Sequence, residues 1–184
     1  MQKNRCGWVS SEQLYIDYHD NEWGKPCHDD QKLFEMLLLE GFQAGLSWIT
    51  ILRKRESYRE ALDNFDINIC ANYNEDKIQS LLQNEKLVRN RLKMYGIIAN
   101  AKAFLEVQKE FGTFDKYIWG FVNGKTIKSN FANYREAPTT TPESDTMSKA
   151  LKKRGFKFIG STICLAYMQA TGMVDDHSTD CFCY

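Results

Sequence analysis

Two pairs of residues near opposite ends of this 184-residue chain have the chemistry of metal ligands. Cys6 and His19 bracket a short helical stretch, and His177 and Cys181 stand in the spacing His-x3-Cys. Two thiolates and two neutral imidazoles would hold one zinc ion tetrahedrally, the thiolates cancelling its charge. Four protein ligands leave no coordination position open, so such an ion would be structural. Spacing alone leaves the set open. Cys6-x12-His19 is not a finger pattern, Cys27-His28 and Cys183 are alternative donors, and Cys6 as a buried thiol with His177 on the surface reads equally well. A metal held by both pairs would fix the two ends of the chain to one body, at a closure cost that rises only logarithmically with loop length.

The second constellation is aromatic. Trp8, Tyr15, Tyr18 and Trp23 crowd a short segment with polar neighbours His19, Asp20, Asn21 and Glu22. Aromatic faces beside hydrogen-bonding groups suit a flat heterocycle, stacked on the rings and read at its edge; the plainer reading makes Trp8 and Trp23 partly buried core. Glu40 follows the most apolar helical stretch of the chain, where an ionised carboxylate without a partner is costly, so a functional carboxylate is expected there unless it reaches solvent from a helix end. Gly41 and Gly45 around Phe42-Gln43-Ala44 read as a tight turn joining two helices. Leu46 beyond that turn either packs inward or projects as an apolar wedge of the kind that fills the gap left by a flipped base.

Helices must position these groups, because apolar residues recur with helical rather than strand period. In residues 30–39 the positions Leu33, Phe34, Met36, Leu37, Leu38 and Leu39 nearly encircle a helix, which marks a buried central element. Further helices are expected over 14–19, 48–62, 75–82, 91–107, 144–153 and 161–170. Gly155 and Gly172 fall at C-terminal caps, and Thr141-Pro142 reads as a cap followed by a first-turn proline. Residues 123–138 lack helical period and read as a long loop. The expected class is all-α, with residues 1–184 forming a single domain. With 43% hydrophobic residues the chain can bury a core without staples. No stretch reads as a membrane span or export signal, so a cytoplasmic protein with reduced thiols is expected from its six cysteines. Lys plus Arg equals Asp plus Glu at 24 each, so any attraction to a polyanion must come from local clustering.

Taken in order, Cys-Gly-Trp (6–8), Tyr-His-Asp-Asn-Glu-Trp-Gly (18–24), Leu-Phe-Glu-Met (33–36), Glu-Gly-Phe-Gln-Ala-Gly-Leu-Ser-Trp (40–48), Leu-Lys-Lys-Arg-Gly-Phe-Lys-Phe-Ile-Gly (151–160) and the His177/Cys181 tail resemble the bacterial 3-methyladenine DNA glycosylase I family. The resemblance implies a helix-hairpin-helix glycosylase fold, with zinc on Cys6, His19, His177 and Cys181 joining the N- and C-terminal segments. It implies that Glu40, Tyr18 and Trp48 line a base pocket with Trp8 and Trp23 nearby. The implied activity is monofunctional hydrolysis of the N-glycosidic bond of 3-methyladenine in double-stranded alkylated DNA, by a monomer. No lysine nucleophile is indicated, and the catalytic aspartate of the wider superfamily has no counterpart here.

In such a fold, backbone amides at a hairpin and the following helix N-terminus bind phosphate. The hairpin falls within residues 78–103. Lys86 lies in its turn, where the family commonly has glycine, and Arg89, Arg91 and Lys93 open the next helix. With Gly45 and Leu46, the cations Lys86, Arg89 and Arg91 form the expected DNA-facing set. A second basic run, Lys149, Lys152, Lys153, Arg154 and Lys157, reads first as a solvated helix face. Two readings from other classes stand beside the enzyme: a zinc-stapled module that recognises modified bases without cutting, and a helical protein that binds a partner through Trp8, Trp23 and Trp48.

Overall fold

In the computed structural model, which describes residues 3–184, nine helices surround one apolar centre. The helices are α1 (Gln13–Asn21), α2 (Asp30–Gln43), α3 (Trp48–Ala61), α4 (Ile67–Ala71), α5 (Glu75–Gln83), α6 (Arg91–Phe111), α7 (Phe114–Trp119), α8 (Pro142–Lys153) and α9 (Ser161–Ala170). Helix α2 is central, as its all-round apolar pattern requires. Leu33, Phe34 and Leu39 are fully buried, and the helix packs against α3, α6, α7 and α9. Each such side chain contributes about 1.5–3 kcal/mol by leaving water.

Polar side chains fix where the helices begin. Asp29 caps α2 by accepting from the Lys32 amide at 2.8 Å. The next residue, Asp30, accepts from the amides of Phe114 and Asp115 and from the Gln108 side chain, so one carboxylate joins the starts of α2 and α7 to α6. Thr141 and Ser144 form a capping box around Pro142, as the sequence predicts. Gly172 has φ +72°, and a Cβ there would lie 2.2 Å from the Lys25 carbonyl carbon. The segment before α2 therefore crosses the end of α9 where only glycine fits.

Three expectations change. Helix α2 runs through Gly41 to Gln43, so the turn is shorter than the glycine pair implied and centres on Gly45, at φ +83°. Helices α4 and α7, of five and six residues, are too short to show a period in sequence. Residues 123–138 are largely irregular but carry a two-residue strand, β1 (Ile127–Lys128), parallel to β2 (Val174–Asp175), and a 3-10 turn at Tyr134–Glu136. That pairing holds the long loop against the segment that leads to His177.

Candidate active site

The last turns of α2 bring Glu40 to the wall of a cavity of about 310 Å³, with Tyr15 and Tyr18 from α1, Trp48 from the start of α3, and Trp8 and Trp23 from the flanking segments. Tyr18 and Trp48 lie 5.4 Å apart between ring centres, and Trp8 meets Trp23 edge to face at 5.0 Å. Trp8 and Trp48 are half-buried, while Tyr18 and Trp23 belong to the buried core. The core and pocket readings of Trp23 are therefore both true: one edge packs and the other lines the cavity.

Glu40 is 4% exposed and has no hydrogen bond or ion pair among the described residues. Burial alone pushes its carboxyl pKa up to about 8. Burial, and then the nearby Glu40, also raise the phenols of Tyr15 and Tyr18, so both stay protonated donors at neutral pH. The indole N–H of Trp48 is buried without a partner among the described residues. An aromatic cavity with an unpaired acid on its wall is suited to a flat, positively charged guest.

Sequence reasoning missed part of the wall. Tyr134, Ala137 and Pro138 come from the long loop, and Gln43, Ala166, Gln169 and Asp176 complete the lining. Gln169 donates to Asp176 at 2.5 Å, and the other Asp176 oxygen is buried without a partner among the described residues. A lone glutamine in the apolar run Ile163-Cys164-Leu165-Ala166-Tyr167-Met168 was the available signal; the loop residues offered none.

An ion-pair frame stands behind the aromatic segment. Arg55 on α3 makes two 2.7 Å hydrogen bonds to Glu22 and one of 2.6 Å to Glu35, tying the Tyr18–Trp23 stretch to the helix that carries Glu40.

Outside the cavity, Gly45 and Leu46 are exposed on a turn closed by the Leu46 amide to the Gln43 carbonyl at 2.7 Å; Leu46 does not pack inward. Between α5 and α6 the hairpin presents Lys86, Arg89 and Arg91 to solvent. Its turn needs no glycine, because no residue from Asn84 to Asn90 has positive φ and the Asn84 side chain accepts from the Lys86 amide at 3.0 Å. Lys93, a neighbour of these cations in sequence, is buried and donates to the carbonyls of Phe42 and Ala44. Its long stem reaches across α6 to satisfy the end of α2. In the second basic run Arg154 pairs with Glu110 and lies over Phe111 and Tyr117, which is a structural role.

Behind Tyr18, donor atoms of His19, His177, Cys181 and Cys183 all lie within 4.8 Å of one another. His19 Nδ1 contacts Asp20 at 2.8 Å and His177 Nδ1 contacts Asp175 at 2.6 Å, so a carboxylate orients each ring. The His177 Nε2 is buried with no partner among the described residues, and His19 Nε2 lies 3.5 Å from the Cys181 sulfur. Cys6 sits alongside, its sulfur accepting from the Ser178 amide and hydroxyl, but it is not among those four. Cys27 and His28 lie elsewhere, His28 stacked on Trp119 and bonded to Asp115, which removes them as alternative ligands. Two carboxylate-oriented imidazoles meeting thiols in a closed space have the composition of a tetrahedral zinc site.

An α-helical body with an aromatic pocket, an unpaired acid on the pocket wall and a cationic hairpin outside has the features of an enzyme that acts on a flat ring. The chain belongs to the methyladenine glycosylase family, whose model matches residues 8–184. It is 54% identical to the DNA-3-methyladenine glycosylase of Haemophilus influenzae, over 97% of each chain. It is 51% identical to DNA-3-methyladenine glycosylase 1 of Escherichia coli, over 98% of this chain and 96% of that one. A tyrosine-to-phenylalanine variant of 3-methyladenine DNA glycosylase I, solved in complex with 3-methyladenine, superposes with a TM-score of 0.94 at 34% identity, covering 97% of this chain and 96% of that one. No helix among the described residues is long and apolar enough to cross a membrane.

Proposed function

We propose that this protein excises 3-methyladenine from alkylated double-stranded DNA by hydrolysing the N-glycosidic bond, releasing free base and leaving an abasic site. The observation that carries the reading is Glu40, an acid buried without a partner in an aromatic cavity. Methylation at N3 makes adenine cationic and weakens its bond to the sugar, so the leaving group arrives activated. The protein's task is to select and desolvate it.

The flipped base stacks on Trp48 with Trp8 and Trp23 nearby, and Glu40 and Tyr18 hold its polar edge. A cationic base gives an ionised Glu40 a partner, whereas neutral adenine leaves the carboxylate's burial cost uncompensated. That difference is the selectivity. Water then attacks the sugar carbon, and the electron pair of the broken bond neutralises the departing base. Leu46, raised on the Gly45 turn, fills the gap in the duplex, and Lys86, Arg89 and Arg91 hold the phosphates.

One zinc ion on His19, His177, Cys181 and Cys6 serves as a structural clip. When bound it supplies rigidity and no chemistry. His19 directly follows Tyr18 in α1, so fixing the imidazole fixes the phenol that faces the base.

Incubation with N-methylated duplex DNA, followed by chromatography of the small-molecule fraction, is expected to show free 3-methyladenine. Retention of methylated DNA without base release would leave only the non-cutting reader, which relatives named as glycosylases already disfavour.

A further inference from the structure

Five metal-binding side chains converge where a tetrahedral ion needs four. Three of them, His19, His177 and Cys181, are common to the tight group of donors and to the set that the sequence implies, and the fourth position has two claimants. Cys183 completes the tight group, and its amide also donates to the Cys181 sulfur at 3.5 Å, so the Cys-x-Cys turn already folds around a common centre. Cys6 is the other claimant. Its sulfur is occupied by the Ser178 amide and hydroxyl at 3.4 and 3.6 Å.

Burial separates the two thiols. Cys6, His19, His177 and Cys181 are all buried, whereas Cys183 is only half-buried. A site closed on four buried donors needs a route by which the ion gets in, and the half-buried sulfur is the donor solvent reaches first. We propose that Cys183 is itself a metal ligand in this chain, closing a His19, His177, Cys181, Cys183 set from the solvent side and exchanging with Cys6 at the fourth position. The inference rests on the zinc reading above and adds a ligand to it.

The exchange is a ligand substitution without oxidation or reduction. The Cys183 sulfur forms its bond to the metal as the Cys6 bond breaks, and the proton lost from Cys183 is matched by one gained by Cys6. The terminal segments need not part during the swap. The Phe182 amide donates to the Asn4 carbonyl at 2.9 Å, and the Asn4 side chain donates to Asp180, so hydrogen bonds keep the segments together.

Cobalt(II), added alone to metal-free protein, reads the ligands through its visible bands and its thiolate charge-transfer intensity. The wild type, Cys6→Ser and Cys183→Ser are each expected to take up one cobalt with a tetrahedral spectrum and the intensity of two thiolates. The single variants should bind within about a hundredfold of wild type. The Cys6→Ser/Cys183→Ser double variant should show the intensity of one thiolate and bind weaker again by about a hundredfold or more. If Cys6→Ser already matches the double variant, Cys183 is no ligand and the proposal falls while the zinc reading survives. If wild type takes up no cobalt, both fall. Should Cys6→Ser fail to fold, alkylation of Cys183 in wild type decides: metal is expected to slow it severalfold, and an unchanged rate overturns the proposal.

Discussion

Lys93 and Phe42 are joined by a hydrogen bond of 2.8 Å between the lysine ammonium and the backbone carbonyl, 51 positions apart in sequence. A second bond of 2.7 Å runs to the Ala44 carbonyl, so one buried cation satisfies the end of α2 where the helix dipole is negative. The helix it secures carries Glu40, and the turn that follows carries Leu46. Helix α6, which follows the hairpin, is thereby coupled to both the pocket and the exposed Leu46.

Lys93→Met keeps the stem and removes the donors. It is expected to lower the free energy of unfolding by about 2–3 kcal/mol, the range for hydrogen bonds to a charged group, with the urea midpoint as readout. The salt dependence of DNA affinity should not change. A reduced salt slope would instead place Lys93 among the phosphate contacts.

The pocket acid sets a pH dependence. With its pKa pushed up to about 8, Glu40 is protonated in the free enzyme at neutral pH and must ionise to pair with a cationic base. The ratio kcat/KM on methylated DNA is therefore expected to rise by about tenfold per pH unit below that value and level off above it. A flat profile between pH 6 and 8 would show that the base does not meet an ionised Glu40.

Glu40→Gln separates binding from folding. The unfolded carboxyl ionises near 4.5 and the folded one at about 8, so folding takes up a proton between them and wild-type stability declines as pH rises across that window. Glutamine resembles the protonated acid and escapes this cost. The variant should match wild type below pH 4.5 and become more stable by roughly 3–5 kcal/mol at pH 9, while base release collapses. Equal stability at both pH values would mean that Glu40 is solvated in the folded protein.

For the DNA surface, Lys86→Ala, Arg89→Ala and Arg91→Ala should each weaken duplex binding whether or not the DNA is methylated. Each should lower the slope of log affinity against log salt by about 0.9 if it removes one phosphate contact. Arg154→Ala serves as the contrast and should leave the slope unchanged. Fluorescence anisotropy over a salt series measures all four.

The helical class and the main helices were legible because their apolar period is set by residues three and four apart. Glu40 stood out because its charge conflicts with the apolar run before it, and the pocket aromatics because Trp8, Tyr15, Tyr18 and Trp23 cluster within one segment. What sequence hid was direction. Lys93 reads like Arg91 in composition, and only the position of its Cα on the inward face of α6 sends its charge to the end of α2. Tyr134 and Pro138 reach the cavity because β1 pairs with β2 far along the chain, a contact no local pattern encodes. The competition between Cys6 and Cys183 has the same origin, since spacing along the chain does not say which sulfur a fold turns toward His19.

The bonds from Asn4 to Phe182 and Asp180 also bear on how the protein is made. The aromatic wall formed by residues 8–23 is synthesised well before the partners it packs against, His177 and Phe182 among them. On the ribosome α2 and its neighbours can collapse while that wall waits for residues 177–182 to emerge. A product cut short just before His177 would keep α1 to α9 and lose the contacts that hold the wall in place.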